Sequence, residues 1–203
     1  VILVGMLLIG GLKGRWFAVF AVLAVLGSLA VWNLPAGVGL KQYQKDRIMV
    51  FVEPEADPSG AGYNLAQSKI AIGSGEFVGK GLGSGTQSNL NFLPERHTDF
   101  IFSVIGEELG FVGGAALLGL YLWLLISALA VAASSRDLFG ALMVAGIMSM
   151  WLFQILENMG MTVGMMPITG IPLPFMSFGS SFMVTNFGAI GLIQSVWARR
   201  YGA

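Results

Sequence analysis

The chain has 203 residues, of which 55% are hydrophobic and only 11% are charged, whereas soluble domains usually carry about 25% charged residues. Eleven basic residues balance eleven acidic ones, so the composition provides no strongly basic surface for nucleic acid, and the absence of cysteine excludes disulfides and thiolate catalysis. The long uncharged runs predict an integral membrane protein.

The apolar segments predict an all-α polytopic membrane protein, a helical bundle of four full spans plus part of a fifth. The predicted spans are residues 1–9, 16–32, 100–133, 138–156 and 175–197. The first segment resembles the tail of a span that begins earlier, so we expect the chain to be a fragment of a longer protein. Residues 33–99 hold most of the charges and predict a large loop outside the membrane.

The short connections between the predicted spans carry basic residues at one end of the bundle. Under the positive-inside rule, this end is cytoplasmic. The loop 33–99 and the proline-rich segment 158–174 are then extracytoplasmic. The basic residues that set this orientation are Lys13, Arg15, Arg136, Arg199 and Arg200.

A cluster of ionisable residues, which includes the only histidine, precedes the span 100–133. Four ionisable residues fall within five positions: Glu95, Arg96, His97 and Asp99. Charges at the end of a membrane span are energetically costly, so they indicate a functional role. Thr98 or Asp99 can cap the helix that follows. Alternatively, Asp99 can act as a general base, because partial burial raises its pKa while the helix N-terminus and neighbouring cations lower it.

Two further acidic residues, Glu107 and Glu108, interrupt the same apolar segment. Because buried acids need partners, pairing with a basic group from another helix is favoured over a proton-relay role. His97 beside Asp99 does not suffice for a protein-only zinc site. A loosely held Mg²⁺ or Mn²⁺, completed by substrate phosphates, is compatible with this pattern.

Residues 73–87 contain six glycines and Lys80. The segment lacks the Walker spacing, and no buried strand precedes it as a dinucleotide fingerprint would require. Two interpretations stay open: a flexible turn, or a loop whose backbone N–H groups and Lys80 approach a phosphate closely.

Several longer motifs resemble the SEDS family (shape, elongation, division, sporulation). The most specific is LPERHTDFIF at 93–102, followed by EELG at 107–110. The other matching segments are DR at 46–47, EPEADP at 53–58, GAGYN at 60–64, QSKIAIGSG at 67–75, GTQ at 85–87, PITGIPLPF at 167–175 and SFGSS at 177–181. The resemblance implies a ten-span membrane domain, of which residues 1–203 are the C-terminal part from the end of the sixth span. One departure is Phe178-Gly179-Ser180, where the family usually has Tyr-Gly-Gly.

The resemblance also implies an activity, that of a peptidoglycan glycosyltransferase in the bacterial inner membrane. Such an enzyme polymerises lipid II through β-1,4 bonds, releases undecaprenyl diphosphate at the extracytoplasmic face, and works with a class B penicillin-binding protein. The essential loop aspartate of the family corresponds to Asp99. The candidate substrate-binding residues are Lys69, Lys80, Gln87, Arg96, His97 and Thr98.

Residues 85–87 and 168–172 favour the elongation type of this family over the division type.

Two other functions compete with polymerisation: a lipid II flippase, and a scaffold that only positions the penicillin-binding protein. A flippase would need ionisable groups deep in several spans, whereas the charges of this chain cluster near span ends and outside.

Overall fold

The computed structural model describes residues 2–9, 14–33, 47, 49–51, 53, 60–89, 92–93 and 95–199. Within these ranges the only regular elements are helices, which confirms the predicted all-α fold. They are α1 (Ile2–Ile9), α2 (Gly14–Asn33), α3 (Ala61–Ser74), α4 (Thr86–Asn89), α5 (Ile101–Ala133), α6 (Leu138–Val163) and α7 (Ser180–Arg199). Most of 34–59, including positions 54–58 of the motif at 53–58, lies outside the described residues.

Among the described residues, three helices are long and apolar enough to cross a membrane: Gly14–Val31 within α2, the whole of α5 and the whole of α6. The protein is therefore a polytopic membrane protein, as predicted. Helix α7 has 20 residues, a length of about 30 Å, but polar residues such as Thr185 and Asn186 lower its hydropathy. The span at 175–197 stays a prediction.

Helix α5 is broken at Gly110, whose backbone angles of φ 64° and ψ −160° are not helical. The inner part, residues 111–133, is about 34 Å long and crosses a hydrocarbon layer of about 30 Å by itself. The outer part, residues 101–109, is therefore not needed for the crossing. The predicted span 100–133 thus consists of one span and a short additional helix.

The glycine-rich loop after α3 supplies hydrogen-bond partners to the main chain of α5 at this break. Helix breaks leave carbonyl and amide groups without partners, and residues 76–81 supply four hydrogen bonds to them. The bonds run from Lys80 N to Glu107 O (3.0 Å), from Gly81 N to Glu108 O (3.0 Å), from Phe111 N to Glu76 O (2.9 Å) and from Val112 N to Phe77 O (3.1 Å). Because Lys80 and Gly81 donate their N–H groups to α5, these two groups are not free to cradle a phosphate.

Two glycines of this loop permit the close approach of the two backbones. A Cβ atom at Gly75 would collide with the Gly106 carbonyl, and one at Gly79 would collide with the Glu108 carbonyl. Gly79 also has a φ of +82°, which side chains disfavour. Residues 75–81 therefore act as a backbone brace for α5, and contact of the segment 73–87 with a phosphate stays a prediction.

Helix α3 lies across the outer ends of α5 and α6. Ser68 is fully buried, and its hydroxyl contacts Ser103 Oγ at 2.6 Å and donates to Thr162 O at 2.7 Å. Helix α3 is therefore held in place by packing against its neighbours.

Helix α6 continues past the predicted end at 156 to Val163, and its C-terminal cap is Gly164 in the left-handed conformation (φ 81°). Residues 164–179, here called the re-entrant loop, then turn back into the bundle. Leu173 and Pro174 are buried in the helical core, and the Tyr121 hydroxyl of α5 donates to Pro174 O at 2.6 Å. Non-helical backbone at this depth is tolerated because protein surrounds it.

Substituting Gly79 by Ala should destabilise the protein, because the added methyl group meets the Glu108 carbonyl. Gly81→Ala is the matched control: it has a φ of +98°, and only Ser84 Oγ lies near its Cβ, at 3.7 Å. We expect Gly81→Ala to cost about 1–2 kcal/mol and Gly79→Ala about 1–3 kcal/mol more. Thermal unfolding in detergent measures both; equal losses would show that the close approach is unimportant.

Candidate active site

Asp99 belongs to a compact turn, residues 95–100, here called the Asp99 turn. The carbonyl oxygen of Glu95 accepts from the N–H groups of Thr98, Asp99 and Phe100 at 3.1, 3.1 and 3.3 Å. The next residue, Phe100, is 3% exposed and anchors the turn in a hydrophobic cluster at the outer end of the bundle. The other members of this cluster are Leu65, Leu93, Met161 and Ile168.

Asp99 does not cap the helix that follows. Phe100 occupies the N-cap position of α5, and no side chain bonds to the first turn there. The capping interpretation is therefore wrong, because the turn places the carboxylate away from the free N–H groups of α5.

The carboxylate of Asp99 instead faces the re-entrant loop at Gly170. A Cβ atom at Gly170 would lie 3.0 Å from Asp99 Oδ2, and the φ of +75° at this residue also favours glycine. Arg47 borders the same space, since its Nη1 donates to Thr169 O at 3.2 Å. The site thus combines a carboxylate, a guanidinium and a backbone position without a side chain.

The environment raises the pKa of Asp99 above its ordinary value. Burial is the largest cause, and the negative charge of Glu95 adds to it. The Thr98 hydroxyl and the Arg47 guanidinium act in the opposite direction and lower the pKa. A carboxylate with a raised pKa and access to the outside is a stronger proton acceptor than a surface aspartate.

A second carboxylate lies behind the same loop. Glu157 is 6% exposed and accepts a hydrogen bond of 2.9 Å from Thr169 Oγ1. The sequence did not identify Arg47 or Glu157 as site residues. Arg47 lies 52 positions before Asp99, so no local spacing in the sequence connects the two residues. The family motif at 46–47 was the one signal that could have indicated the importance of Arg47. Glu157 was placed only at a span end.

Three of the predicted substrate-binding residues belong to the Asp99 turn itself. Arg96 Nε donates to His97 Nε2 at 3.1 Å, and the Thr98 hydroxyl donates to Glu95 Oε2 at 3.0 Å. Within the described part of the chain, Arg96 Nη1 is buried without a hydrogen-bond partner. A buried donor without a partner is energetically costly, so the predicted substrate contact of Arg96 stays open.

The other predicted residues lie elsewhere. Lys80 forms an ion pair of 2.8 Å with Glu107, which is fully buried, and Thr86 Oγ1 and Gln87 N also donate to Glu107 Oε1 at 3.1 and 2.9 Å. The pairing expected for Glu107 is confirmed, although the basic partner comes from a loop and not from another helix. Lys69 lies against Gly164, at the C-terminal end of α6, where the helix dipole favours a cation.

Lys80 and Gln87 are thus grouped around Glu107, which follows Asp99 by eight residues, about 12 Å along a helix. Their contacts with substrate stay predictions. Among the described residues, no three His, Asp or Glu side chains converge on one point. The chain therefore offers Mg²⁺ or Mn²⁺ an incomplete donor set near Asp99, which substrate phosphates would have to complete.

Lys80→Met should destabilise the protein by about 3 kcal/mol, because it leaves the buried Glu107 carboxylate without its counter-ion. The double variant Lys80→Met/Glu107→Gln removes both charges and should recover most of this loss in thermal unfolding. A double variant as unstable as Lys80→Met would contradict the ion-pair role. If the double variant is stable yet binds a diphosphate lipid less well than Glu107→Gln, Lys80 also contacts substrate.

Comparison with known proteins identifies relatives for the whole chain. The model of the FtsW/RodA/SpoVE family, described as cell cycle proteins, matches residues 1–201. The peptidoglycan glycosyltransferase MrdB of Escherichia coli (strain K12) is 43% identical over 194 residues, 96% of this chain and 51% of the relative. The peptidoglycan glycosyltransferase RodA of Treponema pallidum is 48% identical over 161 residues, 79% of this chain and 37% of the relative. Relatives named FtsW match as well.

A solved structure shares the fold. One chain of a peptidoglycan synthase complex, studied for its coordination of polymerization and crosslinking, superposes with a TM-score of 0.77 and 34% identity, and the match covers 98% of this chain and 53% of that one. The present chain thus spans about half the length, or less, of the curated relatives described here. The chain belongs to the FtsW/RodA/SpoVE family, also known as the SEDS family.

Proposed function

We propose that this chain carries the catalytic aspartate of a peptidoglycan polymerase, which joins lipid II units through β-1,4 bonds and releases undecaprenyl diphosphate. The main support is the Asp99 carboxylate, which has a raised pKa and lies at the end of a membrane helix, close to Gly170, a position without a side chain. The relatives named peptidoglycan glycosyltransferases agree with this proposal.

Asp99 acts as the general base. Its carboxylate takes the proton from the 4-hydroxyl of the acceptor N-acetylglucosamine, and the oxygen of that hydroxyl attacks the anomeric carbon of the donor N-acetylmuramic acid. The new C–O bond forms as the bond to the diphosphate breaks. Conversion of an α-linked donor to a β-linked product requires inversion, so one base and no covalent intermediate suffice, as in inverting glycosidases.

The leaving diphosphate develops negative charge that cations must stabilise. Arg96 is the best-supported candidate, because its Nη1 is buried and without a partner among the described residues. Arg47 borders Asp99 and Gly170, but it also donates to Thr169 O. Lys80 and Lys69 remain candidates for a longer-range role. A divalent cation, Mg²⁺ or Mn²⁺, would supply further charge neutralisation if Asp99 and the diphosphate hold it together.

The elongation type of polymerase is preferred because of the residues at 85–87 and 168–172. A division-type, FtsW-like polymerase is the alternative. The proposed location is the bacterial inner membrane with Asp99 on the extracytoplasmic face, which agrees with the position of Arg15, Arg136 and Arg199 at the opposite ends of their helices. The proposed partner is a class B penicillin-binding protein, whose single span would pack against α5 and α6.

The flippase alternative receives less support. Transport would need ionisable groups along the spans, yet residues 111–133 and 138–156 contain no Asp, Glu, His, Lys or Arg. The buried acids Glu107 and Glu157 lie at the outer ends of α5 and α6 and have described partners. A scaffold without catalysis would give no reason for a partly buried carboxylate with a raised pKa.

Asp99→Asn should reduce polymerisation of purified lipid II at least about 100-fold, the contribution of a general base, while thermal unfolding stays near that of the wild type. The assay uses the protein as its gene encodes it, because the chain spans only part of its relatives. Asp137→Asn is the control: Asp137 caps α6 at the opposite end of the bundle, and Asn caps equally well. Undiminished glycan product from Asp99→Asn would contradict the base role.

The rate of polymerisation should depend on the charges around Asp99. Because the pKa of Asp99 is raised, the acid limb of the pH–rate profile should lie above the value of an ordinary aspartate, about 3.9. Glu95→Gln removes a charge that raises the pKa, so the acid limb should move to lower pH.

Arg47→Gln removes a charge that lowers the pKa of Asp99, so the acid limb should move to higher pH. The two variants thus control for each other, since a general loss of activity would not move the acid limb in opposite directions. A profile that neither variant changes would exclude Asp99 as the titrating group.

A further inference from the structure

Three consecutive carbonyl oxygens of the Asp99 turn accept hydrogen bonds from outside the turn. Phe178 N donates to His97 O at 2.8 Å, Ser177 Oγ donates to Thr98 O at 2.6 Å, and Asn158 Nδ2 donates to Asp99 O at 2.8 Å. These bonds fix the main chain of the residue that carries the carboxylate and of the two residues before it.

Asn158 and Ser177 each connect the Asp99 turn to the re-entrant loop. Asn158 Nδ2 donates a second bond to Ile171 O at 2.8 Å, next to Gly170. Ser177 Oγ accepts from Leu173 N at 2.7 Å. Each side chain therefore joins the turn to the loop that faces the Asp99 carboxylate.

Both side chains are completely buried, with an exposure of 0%. Asn158 Oδ1 has no hydrogen-bond partner within the described residues, so the described hydrogen bonds of this amide are the two that it donates. With two carbonyl oxygens at 2.8 Å from the same atom, that atom must be the nitrogen, because an oxygen there would face two acceptors. The hydrogen bonds that such a buried polar side chain makes compensate for its burial.

We propose that Asn158 and Ser177 are positioning residues, which hold the Asp99 carboxylate at a fixed distance from Gly170 so that it can take the acceptor proton. This inference rests on the proposed function. The folded bundle does not depend on these bonds alone, because Phe100 and the cluster around it also anchor the turn. The bonds instead fix the main chain on which the carboxylate is mounted, and a misplacement of about 1 Å can cost 100-fold in rate.

The test compares Asn158→Leu with Gln154→Leu in the protein as its gene encodes it. Gln154 lies one turn earlier on α6, and its Oε1 is likewise buried without a partner in the described part of the chain, so the substitution is matched in type and in helix but breaks no described bond to the turn. We expect Asn158→Leu to lower kcat for lipid II polymerisation by about 10- to 100-fold with little change in KM. Gln154→Leu should stay within about twofold of the wild type.

A loss of folded protein would also lower kcat, so the pH profile is the second measurement. A loosened turn admits water to Asp99 and relieves the burial that raises its pKa. The acid limb should therefore move to lower pH in Asn158→Leu and stay in place in Gln154→Leu.

Ser177→Ala keeps the proposal testable if Asn158→Leu does not fold, because it removes one hydroxyl and leaves α6 unchanged. It should show the same fall in kcat and the same movement of the acid limb, and Ser177→Thr should restore both in part. Ser149→Ala is its control, since the buried Ser149 hydroxyl donates only within α6, to Ala145 O.

An active wild type in which the Asn158 and Ser177 variants match their controls would overturn the positioning role and leave the proposed function intact. A wild type that does not polymerise lipid II would overturn both.

Discussion

Every main-chain amide and carbonyl group within a bilayer must find its partner inside the protein, and this constraint determines both irregular segments of the bundle. At Gly110, α5 leaves its helical path, and the loop after α3 supplies the missing donors and acceptors. In the re-entrant loop, buried side chains from α5, from α6 and from the loop itself do the same. The irregular backbone is stabilised at these two places because main-chain groups there find partners from elsewhere in the chain.

The Asp99 turn lies between these two irregular segments, the break at Gly110 and the re-entrant loop. On one side, the outer part of α5 begins directly after Phe100 and is braced by the glycine-rich loop. On the other side, the turn is bonded to the end of α6 and to the re-entrant loop. The carboxylate is thus carried on an element that is tied to three others, although it is itself a loop residue. Rigid support of this kind is what a general base requires if its distance to the acceptor hydroxyl is to be constant.

The sequence was sufficient for the membrane class and for the main helices, because hydropathy is a local signal, and a cluster of charges at a span end directed attention to Asp99, whose role stays a prediction. It was insufficient for the break in α5, since one glycine among apolar residues does not reveal a conformation that depends on a loop some 30 positions earlier. The pairing of Glu107 was expected, but its partner Lys80 was assigned to substrate. Arg47 and Glu157 reach the Asp99 site only through the tertiary fold, and no spacing in the chain connects them.

The break at Gly110 has a consequence for where chemistry can take place relative to the lipid. Residues 111–133 already match the hydrocarbon thickness, so the nine steps from Ile101 to Gly110, about 14 Å measured along the helix, separate the span from the Asp99 turn. The polar layer outside the hydrocarbon is only about 5–8 Å deep on each side. Under the proposed function, this separation would bring Asp99 to the sugars of a lipid-linked molecule rather than to its isoprenoid chain, and inserting one residue into the short helix would turn the carboxylate through about 100° around the helix axis.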